Sequence, residues 1–306
     1  MKLKIKSKHI LTLDELEPKE IEHLIELAIE LKKQQKKGEQ KTILQNKTLA
    51  MIFEKPSTRT RVSFEVGMLQ LGGHAITLST DNLQLSRGET ISDTAKTLSR
   101  YVDVIMARVY KHDTLEKLAD NANVPVINGL SDLYHPCQIL ADFMTIKEHK
   151  KNLKKIKIAW VGDGNNVCNS LIFGCSKLKI KISIAIPDGF EPSSIAVSTA
   201  KLHTDIEITN NPLQAVQNAD VIMTDTFTSI HNDEKDRLKK FLPKFQVNSD
   251  LMKNAKKDAI FLHCLPAKRE QEVTSDVIDG PQSVVWNQAE NRLHVQKALL
   301  ISLLNI

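Results

Sequence analysis

The sequence contains no Cys-x-x-Cys pair. Its four cysteines, Cys137, Cys168, Cys175 and Cys264, are scattered, so neither a disulfide framework nor a cysteine-based zinc site is expected. Free thiols suit a reducing compartment. Aromatic residues make up only 5% of the chain. The lysine groups at Lys32-Lys33, Lys36-Lys37 and between Lys147 and Lys157 have no aromatics among them. They read as solvated helix faces and linkers, and exclude the interleaved stripe of a nucleic-acid binder. No apolar run approaches the length needed to span a bilayer. The opening Met1-Lys2-Leu3-Lys4-Ile5-Lys6 lacks the apolar core of a signal peptide. A cytoplasmic protein without nucleic-acid or membrane partners is expected. No short internal repeat or low-complexity segment is present.

A third glycine is also missing where one would matter. Val161-Gly162-Asp163-Gly164 after an apolar run is half of a dinucleotide fingerprint, but position 167 is Val. No acidic residue follows at the usual spacing unless Asp188 is stretched into the role. A nucleotide cofactor is therefore not expected.

What is present is ordinary in amount and regular in pattern. The 306 residues, 41% apolar and 26% charged with a net charge of +5, predict two domains, each with its own core. The basic balance suits a protein that collects an anionic small molecule. Apolar runs at 48–53, 74–79, 104–107 and 125–128 alternate with helical patterns. After a charged stretch at 150–155, a second set follows at 156–161, 180–186, 221–224 and 259–262. A last helix is predicted over 287–304. Such alternation predicts an α/β fold with two doubly wound parallel sheets covered on both faces. Ligands in such sheets bind at the carboxyl ends of the strands.

One stretch organises the rest: Phe53-Glu54-Lys55-Pro56-Ser57-Thr58-Arg59-Thr60-Arg61-Val62-Ser63-Phe64-Glu65. Pro56 disfavours helix at Lys55, and Ser57 or Thr58 can cap the helix that follows. A helix start offers unpaired N–H groups and the positive end of its dipole. With two hydroxyls and two arginines added, phosphate is the natural guest. Alone, the stretch also suits an ordinary capped helix with solvated arginines. Arg108 and His135-Pro136-Cys137-Gln138 also fall just after strands, so three segments converge on one crevice. Arg61 and Glu65 read as a helical pair, not as ligands. Cys137, Cys168 and Cys175 read as structural.

Together these segments resemble the aspartate/ornithine carbamoyltransferase family over nearly the whole chain. Ser57-Thr58-Arg59-Thr60-Arg61 followed by Ser63-Phe64-Glu65 is similar to the family's carbamoyl phosphate signature. Arg108 and His135 to Gln138 match two further elements. Cys137, His263-Cys264-Leu265-Pro266, Gly164-Asn165-Asn166, Asp225-Thr226, Ala289-Glu290-Asn291-Arg292 and the absence of a lysine near Gln84 favour the ornithine branch. One segment departs: ornithine enzymes typically carry Ser-Met-Gly where this chain has Ser229-Ile230-His231.

The resemblance implies a carbamoyl phosphate domain at 1–149 and an ornithine domain at 150–288. A closing helix at 289–306 would pack back on the first, with the active site in the cleft between the domains. Ser57, Thr58, Arg59 and Thr60 would take the phosphate. Arg108, His135 and Thr60 would polarise the carbonyl, and Gln138 would accept from the carbamoyl amide. Cys264, Leu265 and Arg292 would also contact carbamoyl phosphate. Gln84 would reach a neighbouring subunit's site in a homotrimer. For the amino acid, Asn166 would meet the α-carboxylate or merely cap its helix. Asp225, Ser229 and Ile230 would line the α-amino end, and Cys264 with Asp225 would help the attacking amine lose its proton. No metal or cofactor is implied. The Ser229-Ile230-His231 departure leaves putrescine or a modified ornithine as alternative acceptors. A non-catalytic anion binder is the remaining class.

Overall fold

The computed structural model describes residues 4–39, 41–80, 83–228 and 236–306. The chain divides into two compact units, Met1–Met144 with Glu290–Ile306, and Thr145–Ala289. Both divisions fall inside helices and not in the charged stretch at 150–155.

The first unit contains α1 (Pro18–Lys36), β1 (Thr48–Phe53), α2 (Thr58–Gln70), β2 (His74–Ser79), α3 (Ile91–Leu98), β3 (Val104–Arg108), α4 (His112–Asn121) and β4 (Val126–Leu130). It also holds most of α5 (Pro136–Lys150). Its four strands are parallel, in the order β2-β1-β3-β4. β1 and β3 are nearly continuous buried apolar runs, as expected of central strands covered on both faces. Ala50, Ile52, Ile105, Ala107, Leu115 and Val126 belong to one core cluster. From β1 the chain winds outward to β2, then returns to β3 on the other side. The β1/β3 crevice is therefore the switch point of this sheet. α2 ends just before the pair Gly72-Gly73. Gly72 adopts a left-handed φ of 81°, and a Cβ there would lie 2.8 Å from Thr42 Cβ.

The second unit contains β5 (Lys157–Val161), α6 (Asn166–Leu178), β6 (Lys181–Ala185), α7 (Ser194–Lys201), β7 (Ile206–Thr209), α8 (Pro212–Val216) and β8 (Val221–Thr224). α9 (Arg237–Phe241), α10 (Ser249–Met252), β9 (Ile260–His263) and α11 (Ser275–Ile278) complete it. α12 (Val285–Leu303) begins here and continues into the first unit. The sheet is again parallel, ordered β7-β6-β5-β8-β9, and its switch point lies between β5 and β8. Its core is rich in phenylalanine: Phe227 stacks on Phe241 with centroids 4.5 Å apart. β7 is a strand that apolar runs alone do not reveal. It is an edge strand whose middle residues, Glu207 and Ile208, are exposed. Among the described residues, no helix is long and apolar enough to cross a membrane.

Candidate active site

At the β1 end of the first switch point, Ser57 is extended (φ −157°, ψ 108°), and its side chain accepts from the Thr60 N–H at 3.3 Å. It is the N-cap, and Thr58 is the first helical residue. No acidic side chain lies in the first turn, so nothing there neutralises the positive helix end. Ser63 Oγ donates to the Arg59 carbonyl at 2.6 Å, which secures that turn. Arg61 and Glu65 form an exposed i,i+4 pair at 3.5 Å, worth little in solvent.

Thr60 is fully buried. Its hydroxyl accepts from Arg292 Nη2 at 3.0 Å, and Arg292 Nη1 donates to Gln138 Oε1 at 3.2 Å. Gln138 Nε2 in turn donates to Asp142 Oδ1 at 2.8 Å. A segment at the far end of the chain thus meets both motifs of the first unit. Arg292 is only 4% exposed, so its charge acts in a medium that screens poorly.

Arg108 ends β3, where the register against β4 shifts between Ala107 and Arg108. Such irregularities re-aim side chains at sheet ends. Its carbonyl accepts from the Glu54 N–H at 2.9 Å, tying the loops after β1 and β3 together. His135 is buried at the start of α5. Burial first, then the charges of Arg292, Arg108 and Arg59, hold its pKa well below the usual histidine value. Its imidazole is neutral at pH 7 and able to donate one hydrogen bond. Lys55 was not singled out by the sequence. It is buried, with Nζ 4.1 Å from the centroid of the Tyr110 ring. Burial and Arg108 lower its pKa to about 8. A lysine between a buried strand and Pro56 is the signal that could have found it. Gln84 is exposed on a short 3-10 turn, Gln84–Arg87.

In the second unit the hub is Asp225, just after β8. Its Oδ1 accepts from Cys264 Sγ at 3.0 Å and from the Thr226 N–H at 2.8 Å. Its Oδ2 accepts from Asn165 Nδ2 at 2.8 Å. Asn165, not Asn166, is the cap of α6: its Oδ1 accepts from the N–H groups of Val167 and Cys168. Asn166 is the first helical residue and is not consumed as a cap. Asn165 is a residue that sequence reasoning passed over, although Asn before a helical pattern is itself a cap signal. The glycine beside it serves chain packing: a Cβ on Gly164 would lie 2.3 Å from the Pro192 nitrogen. Asp163 is buried against Arg237, which also donates from Nε to the Phe227 carbonyl. Burial pushes the Asp163 pKa up to about 6 against the pull of that guanidinium.

Cys264 and Leu265 follow β9. Leu265 has a left-handed φ of 56°, an uncommon state for a branched side chain. Its N–H donates to His263 Nδ1 at 2.9 Å, so Nε2 carries the ring proton toward Glu272 Oε1 at 3.1 Å. Asp225, His263 and Cys264 bring one potential metal ligand each within 4.8 Å. Both His263 nitrogens are already engaged, so a metal would have to break the bond that holds Leu265. Ser229 and Ile230, with His231, lie outside the described residues. Cys137, Cys168 and Cys175 are buried, and burial raises all three thiol pKa values, that of Cys137 to about 12.

Two models of one family together span most of the chain. Residues 8–148 match the aspartate/ornithine carbamoyltransferase carbamoyl-P binding domain, and residues 154–303 match the Asp/Orn binding domain of that family. An ornithine carbamoyltransferase of Cenarchaeum symbiosum is 60% identical over 98% of this chain and 99% of its own length. That of Bacillus subtilis is 54% identical over 97% of this chain and 94% of its own length. The solved ornithine carbamoyltransferase of Pyrococcus furiosus superposes with a TM-score of 0.94 at 52% identity, covering 98% of this chain and 97% of that one. With both models matched and identity this high over nearly the full length, the chain belongs to the aspartate/ornithine carbamoyltransferase family.

Proposed function

We propose that this chain is an enzyme that transfers the carbamoyl group of carbamoyl phosphate to the side-chain amine of L-ornithine, giving L-citrulline and phosphate for arginine biosynthesis. The observation that carries the reading is the buried Thr60–Arg292–Gln138 chain beside a neutral His135 ringed by Arg59, Arg108 and Arg292. It supplies donors to a dianion and to a carbonyl at the same switch point.

In this reading Ser57, Thr58, Arg59, Thr60 and Arg292 hold the phosphate, through the α2 start with its positive dipole end and charge-assisted hydrogen bonds. Arg108, His135 and Thr60 face the carbonyl oxygen. A neutral imidazole donates there without adding a positive charge that the amine would have to approach. Losing one such donor typically costs about 2.7–4 kcal/mol. Gln138 and Leu265 take the carbamoyl amide. Ornithine's amine arrives as an ammonium, with a pKa near 10.4 for such groups, and must lose a proton. Asp225, which accepts a hydrogen bond from the Cys264 thiol, attracts that ammonium, and with Cys264 it relays the ammonium's proton to solvent. The amine nitrogen then bonds to the carbonyl carbon. As the tetrahedral intermediate collapses, the bond to the phosphate oxygen breaks, and the nitrogen's second proton leaves with the phosphate. Asn166, Ser229 and Ile230 bind the amino-acid end.

Residues 1–149 with the closing helix at 289–306 serve the donor, and 150–288 serve the acceptor. The exposed Gln84 is assigned to a neighbouring subunit's site in a homotrimer. The free cysteines suit work in the cytoplasm. The test is ureido product formation from carbamoyl phosphate and a panel of amines. Citrulline from L-ornithine is expected as the preferred product. Product from putrescine but not ornithine would overturn the acceptor assignment, and no product from any amine would overturn the transfer itself.

A further inference from the structure

α5 is buried at every position from Cys137 to Ile146. An aliphatic side chain is the least costly occupant of such a position, and a carboxylate is among the most costly. Yet Asp142 is there, fully buried, with Oδ1 accepting from Gln138 Nε2 at 2.8 Å. A glutamine amide has two ends of nearly equal shape and opposite hydrogen-bonding sense. Its neighbours here are opposite too. The Arg292 guanidinium only donates and meets Oε1, while the carboxylate of Asp142 only accepts and meets Nε2. A carbonyl oxygen has two lone pairs. Arg292 takes one, which leaves the other for an N–H donor.

We infer that Asp142 is a positioning residue of the donor site: it fixes which end of the Gln138 amide faces the substrate and holds that oxygen against Arg292. The inference rests on the carbamoyl-transfer reading above. It explains why a buried carboxylate stands one helical turn beyond Gln138, and it assigns Asp142 no contact with substrate. Without that acceptor the amide is free to turn, offer N–H to the substrate amide, and release Arg292 from the Gln138 oxygen.

The experiment is steady-state kinetics with carbamoyl phosphate varied, beside thermal melting. Asp142→Leu, similar in shape and apolar, is expected to raise the KM for carbamoyl phosphate about tenfold or more, the usual scale for losing a hydrogen bond to a charged group. A raised KM in a protein that still melts cooperatively supports the role, whereas a merely structural role would lower Tm and leave KM alone. Should that variant not fold, a charge exchange decides. Gln138→Glu sets two carboxylates against each other and is expected to lower kcat/KM about a hundredfold, with Asp142→Asn added to it restoring about tenfold. Unchanged KM in a folded Asp142→Leu protein, or no rescue in the exchanged pair, overturns the role of Asp142 while leaving the enzyme reading intact. A wild-type protein without ureido product overturns the reading and this inference with it.

Discussion

The two switch points use one architecture for opposite charges. After β1, the first unit caps α2 with Ser57 and surrounds the crevice with Arg59, Arg108 and Arg292. After β5, the second unit caps α6 with Asn165, whose amide meets the carboxylate of Asp225. In the first, Thr60, His135, Gln138 and Arg292 are buried, and Arg292 bonds to two distant segments. The second is half-buried and centred on one carboxylate. A strand–turn–helix unit therefore sets where a ligand sits, and the residues at the helix start set its sign. In the proposed reading the anion and its carbonyl take the first, and the ammonium takes the second.

Four measurements would break or sharpen that contrast. The largest effect is expected from Arg59→Ala. Carbamoyl phosphate binding by calorimetry should be lost, while ornithine-site residues stay folded; near-normal affinity would remove the phosphate assignment. Next, Asp225→Asn should lower kcat by about 10²–10³, comparable to the loss of one preorganised electrostatic group. Carbamoyl phosphate affinity should not change. If instead that affinity falls in step with kcat, the division of labour between the units is wrong.

The third concerns acid, where the two units should respond in opposite directions. The unfolded His135 takes a proton below its ordinary 6.5 and the buried ring does not. Stability from this group is complete above pH 6.5 and is lost as pH falls below it. Asp163 behaves inversely. Its unfolded carboxyl ionises near 3.8 while the folded one keeps its proton to about 6. Its contribution is present at low pH and is lost as pH rises between those values. At 1.36 kcal/mol per pKa unit this is roughly 3 kcal/mol. Urea midpoints between pH 4 and 7 should therefore gain acid resistance in His135→Gln and lose it in Asp163→Asn; curves parallel to wild type would reject both assignments. The smallest effect belongs to Asn165→Ala, which removes the α6 cap and should cost about 1 kcal/mol. It should raise the ornithine KM only modestly, through the lost bond to Asp225, and a KM identical to wild type would separate the cap from the site.

The parts of this molecule visible in the sequence are those made by neighbours in the chain. Pro56 followed by Ser57 marks the start of α2 because a proline constraint and a side-chain cap act over four residues. Buried parallel strands are visible as unbroken apolar runs. What was hidden depends on contacts across the chain. Thr60 and Arg292 are 232 residues apart, and no local pattern announces their bond. Asp142 reads as one polar residue in a mixed helix until burial makes it costly. Asn165 and Asn166 are identical in type, and only the geometry of the α6 start tells cap from first helical residue. β7 escaped because an edge strand is not required to be apolar on both faces.

The first unit is discontinuous, closing with Glu290–Ile306 after the whole of Thr145–Ala289 has been threaded. The chain is synthesised in that same order. Domains fold as units as they emerge, and the second unit is synthesised before Arg292, which ties Thr60 to Gln138 in the first. The first unit therefore completes its buried Thr60–Arg292–Gln138 chain only after the second unit has been made.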